Sequence, residues 1–223
     1  MTKEKTWERL KELRLVQGNT PKGVWDLSGA NLSKAALSEV NLAGVNLMRA
    51  NLHKANLTKA NFRIAYLVGA DLREADLRAA DLDGAYLTGA SLMGSNLYRC
   101  DLSRANLMGA DLSGANLVET DLSGTFLFKS IFSNARLSNC NLRNSYIDTA
   151  NFNNADLTDS DITGSILWDV STSGWTIERI KAEYLYFTRD MKSKEKHKKK
   201  FRDGQFEALY KSHFSYFVDR HSL

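Results

Sequence analysis

A five-residue register dominates this sequence and limits the folds that it can adopt. A large apolar residue, nearly always Leu, occupies every fifth position from Leu27 to Leu167 without a slip. A small residue, most often Ala, precedes it by two positions, and the residue between them is usually Asn or Asp. The repeating unit therefore reads A-(D/N)-L-x-x.

This period matches neither common secondary structure. An α-helix places apolar residues three and four positions apart, and a strand places them two apart. In a short extended segment, however, the small residue and the Leu share one side, and the remaining residues must turn the chain before the next unit. A repeat of this kind predicts a solenoid, in which each unit buries its apolar side against its neighbours.

The units resemble those of bacterial members of the pentapeptide-repeat family, over about two thirds of the chain. The resemblance implies an all-β solenoid, a right-handed quadrilateral β-helix with four units per coil and the Leu and the small residue pointing inward. The repeats would then make about seven coils. We expect an N-terminal capping helix and linker (1–23), the β-helix (24–170) and a basic, aromatic C-terminal cap with a helix (171–223).

Both ends of the chain depart from the repeat. Residues 2–16 place Trp7 and Leu10 on one side of a helix, and we expect this helix to cover the first coil above Trp25. The register breaks after Trp168, and residues 205–219 show aromatic residues at helical spacing. The C-terminal region is therefore predicted to contain a second helix.

A basic patch lies in the C-terminal region. Its members are Lys192, Lys194, Lys196, Lys198, Lys199, Lys200 and Arg202. We interpret the run as a solvated loop, which is the ordinary state of such a charge cluster. The alternative is a site for phosphate groups or for an acidic lipid surface.

One side of the predicted β-helix should be apolar on the outside. Residues 20 positions apart stack directly if four units make a coil, so the outward residues fall into four faces. The candidate partner or dimer surface consists of Tyr66, Val68, Tyr86, Met108, Phe126, Phe128, Tyr146, Ile166 and Trp168. Exposed patches of this kind mark interfaces. Two interpretations stay open: the C-terminal segment covers this face, or a partner or second copy binds it.

The sequence predicts no catalytic, cofactor or metal site. Asp81, Asp101 and Asp121 should stack in successive coils, but a short polar residue at this position ordinarily satisfies the backbone of a turn. Cys100 and Cys140 occupy inward positions two coils apart, beyond the reach of a disulfide, and should be buried thiols. The four His residues are scattered and form no ligand set. We therefore expect a protein that is not an enzyme and needs no cofactor.

Charge and cysteine content bear on location and partners. The two Cys residues, the charged N-terminus and the lack of a long apolar run predict a cytoplasmic protein with no membrane span. Residues 24–170 carry 16 acidic and 12 basic residues, which argues against nucleic acid as a partner.

We expect a scaffold that binds a protein through its outer faces and ends, with a homodimer through the apolar face or the C-terminal tail as one form. The resemblance implies an alternative, because some bacterial family members mimic DNA. Such proteins inhibit or protect a type II topoisomerase, gyrase. A mimic of DNA needs a strongly acidic surface, and residues 24–170 are only weakly acidic.

Overall fold

The computed structural model describes residues 2–12, 25–188 and 194–212. Its elements are α1 (Lys3–Glu12), β1 (Tyr146–Asp148), β2 (Ile166–Trp168), β3 (Tyr184–Tyr186), a short 3-10 helix (Lys194–His197), β4 (Lys198–Lys200) and α2 (Gln205–Ser212). The repeats before β1 pair through isolated bridges and not through long strands. Each extended piece is short because the chain turns once in every unit.

Parallel bridges join residues 20 positions apart throughout the repeat region. The first four pairs are Asp26–Asn46, Asn31–Asn51, Ala36–Asn56 and Asn41–Asn61. Four units therefore complete one four-sided coil, in agreement with the predicted β-helix. The corner between two units contains a residue of positive φ, such as Gly29 (66°) or Lys34 (57°).

The predicted inward residues form the core, and the predicted polar residues hold the turns. Leu87 and Ala65 are fully buried, and Trp25 fills a small-residue position at 1% exposure. The Oδ1 atom of Asn51 accepts a hydrogen bond from the backbone N–H of His53 at 3.0 Å. The same bond recurs along the repeat, so the Asn or Asp of a unit satisfies the backbone of the following turn.

The β-helix continues past the predicted boundary at residue 170, which is therefore wrong. Further parallel pairing involves Ser171, Thr176, Lys181 and Tyr186. The register was lost in the sequence because Thr172 and Ala182 replace Leu at inward positions, where they are 5% and 9% exposed. Leu185 in β3 is fully buried in the same core.

Helix α1 lies within the helix predicted over residues 2–16. Leu10 is fully buried and belongs to the core of the repeat region. The buried hydroxyl of Thr6 accepts a hydrogen bond from the backbone N–H of Asn41 at 2.8 Å. The rest of the predicted helix and the side chain of Trp7 lie outside the described residues.

The C-terminal segment packs on the last part of the β-helix. Strand β4 pairs antiparallel with β3, so the lysine run forms an edge strand and not the predicted loop. Backbone groups make this pairing, whatever the side chains. Phe206 of α2 is buried in the core, and Tyr210 packs on Trp175 with ring centroids 4.8 Å apart and hydrogen-bonds to Thr172. Residues 213–219 of the predicted helix lie outside the described residues.

Candidate interaction surface

One face of the β-helix exposes large apolar side chains. We call it the aromatic face, the side whose inward residues include Leu67, Leu87, Leu107 and Leu127. Its most exposed predicted members are Tyr66 (43%), Tyr86 (43%), Met108 (37%) and Phe126 (44%). No charged residue occupies its outward positions between Asn46 and Tyr146. An apolar surface of this extent in a water-exposed position is typical of an interface.

The aromatic side chains of this face form two stacked pairs. The rings of Tyr66 and Tyr86 are 5.0 Å apart and nearly parallel, at 6°. The rings of Phe126 and Tyr146 are 4.8 Å apart, at 10°. Both spacings match the distance between neighbouring strands, because residues 20 positions apart are paired through their backbones. The coil between the two pairs carries Asn106 at the corresponding position.

The C-terminal segment covers only one end of the aromatic face. Ile166 was predicted to point into solvent but is 6% exposed, because β3 adds Tyr186 beside it and β4 extends the sheet further. The remaining predicted members are half-buried: Val68, Phe128, Tyr146 and Trp168. Self-covering therefore accounts for the C-terminal end of the face, while the part from Tyr66 to Phe126 stays exposed.

Two exposed apolar residues extend this surface beyond the predicted set. Met48 is 40% exposed at an outward position of the aromatic face, and Ile64 is 58% exposed at one of its corners. The signal for Met48 was present in the sequence, since it lies 20 residues before Val68. Ile64 was hidden by its place in a turn, where the side chain was expected to be polar.

The corner beside Met108 is unusually bare. Gly69, Gly89 and Gly109 occupy it in three successive coils, with φ of 65°, 63° and 64°. Glycine is not required by this geometry, because Lys59 (57°) and Glu119 (60°) adopt it at another corner. A Cβ atom built at Gly89 or Gly109 would meet nothing within 4 Å. The aromatic face is therefore open on this side, with no side chain that would hold a partner away.

The acidic face is the neighbouring side, whose inward residues include Phe62, Leu82 and Leu102. Its carboxylates are engaged within the chain. Asp81 and Asp101 each accept the backbone N–H of the residue two positions later, at 3.1 and 2.9 Å. This stacked column thus supports turns, as predicted, and does not present a pair of free carboxylates for acid–base chemistry.

Asp83 forms a buried ion cluster on the acidic face that the sequence analysis missed. Its side chain is 4% exposed, and its carboxylate lies 2.6 Å from Arg63 Nη2 and 2.5 Å from Arg104 Nη2. Burial raises the pKa of Asp83, but the hydrogen bonds from Arg104 and Ser103 and the charge of Arg63 outweigh it, so the pKa is lowered. The spacing of 20 and 21 residues between these partners was the available signal.

The predicted basic patch is partly engaged by aromatic and acidic neighbours. The Lys198 ammonium lies 4.3 Å from the centre of the Tyr184 ring and 3.6 Å from Glu195 Oε2. The exposed members are Lys196, Lys199, Lys200 and Arg202. Lys192 and the side chain of Lys194 lie outside the described residues. An edge strand of lysines resists pairing with a further strand, because their charges must stay in water.

The two thiols are buried in the core. Cys100 and Cys140 are free and 1% and 2% exposed. Burial raises the pKa of Cys140 to about 12, and its Sγ atom donates to the Leu117 carbonyl at 2.9 Å. Within residues 2–12, 25–188 and 194–212, no three His, Cys, Asp or Glu side chains are grouped so that they could hold a metal ion. No helix in these ranges is long and apolar enough to cross a membrane.

Comparisons with known proteins agree with the architecture. The family model for pentapeptide repeats matches in 8 copies, over residues 26–63, 65–94, 85–124 and 130–169. A trypsin-treated form of QnrB1, a plasmid-mediated fluoroquinolone resistance protein, is a structural neighbour with a TM-score of 0.56 and 19% identity, over 70% of this chain and 76% of that chain. This likeness shows a shared fold, the right-handed quadrilateral β-helix.

Two cyanobacterial proteins are also similar. HetL, a pentapeptide repeat protein involved in heterocyst differentiation regulation in Nostoc sp. strain PCC 7120, is 25% identical over 81% of this chain and 95% of that chain, with a TM-score of 0.26. Rfr23 from Cyanothece 51142 is 33% identical over 44% of this chain and 59% of that chain, with a TM-score of 0.30. A search of curated proteins gave no match.

Proposed function

We propose that this chain, which belongs to the pentapeptide-repeat family, is a non-catalytic scaffold that binds a protein partner through its aromatic face. The observation that carries the proposal is the exposure of Tyr66, Tyr86, Met108 and Phe126, which ranges from 37% to 44% on an uncharged surface. Aromatic residues and Met are enriched in protein interfaces, and charged residues are depleted at their centres.

The remaining polar groups support a structural role. The Asp and Asn side chains of the repeat accept turn N–H groups, and Asp83 is held by two Arg side chains. The raised pKa of Cys140 keeps its thiol protonated at neutral pH, and a thiol is a poor nucleophile in that state. These groups serve the fold, and we place the protein in the reducing cytoplasm, where buried thiols persist.

We further propose that α1 caps the first coil of a column of about eight coils, and that β4 and α2 cover its last coil. The burial of Leu10 and Phe206 in the common core supports this assignment. Replacing Leu10 by Asp should lower the melting temperature of the protein by several degrees, since a charge would enter the core. An unchanged melting temperature would contradict the cap.

The proposal is tested by comparing two faces of the same molecule. Tyr66, Tyr86 and Phe126 are replaced together by Ser, and Tyr98 and Val118 on the opposite face are replaced by Ser as the matched control. Light scattering reports a homodimer, and affinity capture from lysate reports another partner. We expect the first variant to lose the association and the second to keep it. Equal behaviour of the two variants would remove the aromatic face from the proposal.

Action on a type II topoisomerase remains the alternative outcome of this test. The likeness to a fluoroquinolone resistance protein is one of fold at 19% identity, and the aromatic face offers no acidic surface that could imitate DNA. A supercoiling assay with gyrase and a fluoroquinolone, with and without the protein, separates the two functions. We expect the protein to change neither the rate of supercoiling nor the effect of the drug.

A further inference from the structure

We propose that an aromatic side chain of the partner inserts between Tyr86 and Phe126, over Asn106. The inference rests on the proposed function and names the chemistry of its contact. Tyr86 pairs with Asn106 and Asn106 pairs with Phe126, so the two rings stand two coils apart. That separation is about 10 Å at the usual distance between strands.

The size of the gap is that of one stacked ring. Within the two existing pairs, the ring centroids are 5.0 and 4.8 Å apart. A single additional ring placed midway between Tyr86 and Phe126 would therefore lie about 5 Å from each, within the range for aromatic pairs. It would complete a continuous ladder of five rings from Tyr66 to Tyr146. An aliphatic side chain would fill the same space without the stacking on both sides.

The floor of the gap is short and offers a free donor. The Oδ1 atom of Asn106 accepts the backbone N–H of Met108 at 3.1 Å, which folds the side chain back toward its own turn. In the part of the chain that the structure describes, its Nδ2 atom has no hydrogen-bond partner. By contrast, the Nδ2 atom of Asn116 on the opposite face donates to Asn96 Oδ1 at 3.0 Å. Asn106 can thus donate to a carbonyl or a phenol oxygen of the incoming residue.

The surroundings admit an uncharged aromatic group. Gly89 and Gly109 leave the adjacent corner open, with nothing within 4 Å of a Cβ atom built at either position. The nearest outward neighbours on this face are Thr88 and Met108, and neither carries a charge. A carboxylate or ammonium group of a partner would find no counter-ion here, whereas a Tyr, Phe or Trp side chain would lose water on both ring faces.

Filling the gap from within the chain tests the inference. Asn106→Tyr places a ring where Tyr66, Tyr86 and Phe126 already have one, so the backbone accepts it, and the variant should melt at a higher temperature than the wild type. Asn116→Tyr is the matched control, with the same exchange at the same place in the repeat on the opposite face.

The readout is the NMR signal of the Met108 methyl group, which shares an extended segment with Asn106. Met93, exposed on a different face, is the internal reference. N-acetyl-tyrosinamide should shift the Met108 signal saturably at millimolar concentration in the wild type and in Asn116→Tyr, and should not shift it in Asn106→Tyr. N-acetyl-leucinamide should have no comparable effect. An equal effect of the leucine probe, no effect of either probe, or a shift that survives Asn106→Tyr would overturn the inference.

The partner assay separates this inference from the proposed function. Asn106→Tyr should lose the partner that the wild type captures, although its aromatic face is larger. If the variant keeps the partner while the Tyr66, Tyr86 and Phe126 variant loses it, the aromatic face binds and the inserted ring is wrong. If the wild type is a dimer and Asn106→Tyr is a monomer, the ring comes from a second copy and the assignment to another protein is overturned.

Discussion

The aromatic face and the acidic face are built on the same interior but differ in what their outward side chains contact. On the acidic face, Asp81 and Asp101 accept turn N–H groups, and Asp83 is enclosed by Arg63 and Arg104. On the aromatic face, rings stack on one another and leave more than a third of their surface in water. The comparison teaches that outward residues of one face serve the fold, whereas those of the other remain available for contact.

The largest expected effect lies inside and should not distinguish the faces. Leu82→Ala and Leu87→Ala each remove a fully buried side chain from one layer of the core. Both should reduce the free energy of unfolding by about 2–5 kcal/mol. Urea denaturation provides the measurement. A clear difference between the two variants would break the premise that the faces share one interior.

The next effect belongs to the acidic face. Asp83→Asn leaves two Arg side chains without their carboxylate, and at neutral pH it should cost about 1–3 kcal/mol of stability, because both Arg groups are largely exposed and screened. Asp111→Asn, which keeps the oxygen that accepts the Ser113 N–H, is the control and should be nearly neutral.

The cost of Asp83→Asn should depend on pH. Burial raises the pKa of Asp83, but its hydrogen bonds and the nearby charges lower it overall. A lowered pKa in the folded state means that the stabilisation is complete above the unfolded value of about 3.9 and is lost as the pH falls through the folded value. The difference in unfolding free energy between wild type and variant should therefore shrink in acid. A difference that is constant from pH 7 to pH 3 would contradict the ion cluster.

The smallest effect on stability is expected on the aromatic face. Tyr86→Ser removes one stacked pair and should cost about 0.5–1.5 kcal/mol from stacking, measured by thermal denaturation. The same variant should strongly weaken binding of the partner. Tyr98→Ser, which removes a hydrogen bond to Glu119 on the opposite face, should leave binding intact. Loss of binding with Tyr98→Ser alone would reverse the assignment of the faces.

The interior and the existence of an aromatic face could be predicted because both follow from a fixed period. Spacing of five residues defines the inward column, and spacing of 20 residues brings Tyr66 beside Tyr86. Prediction failed where the rule changes. Thr172 and Ala182 occupy inward positions that a search for Leu cannot recognise, so the predicted boundary fell short.

Local composition also misled where backbone pairing decides the structure. Lys198–Lys200 has the composition of a solvated loop, yet β3 offers it an unpaired edge, and backbone hydrogen bonds do not depend on side-chain type. Ile166 was expected in solvent because the following coil was not recognised. Asp83 was read as one more polar outward residue, because its burial depends on two Arg side chains from neighbouring coils.

Paired photo-crosslinking tests the central claim most directly. The photoreactive residue p-benzoylphenylalanine replaces Tyr86 on the aromatic face in one protein and Tyr98 on the opposite face in another, and both are irradiated in cells. We predict a discrete crosslinked species from position 86 and none from position 98. Crosslinking from position 98 alone, or to the same extent from both, would contradict the account.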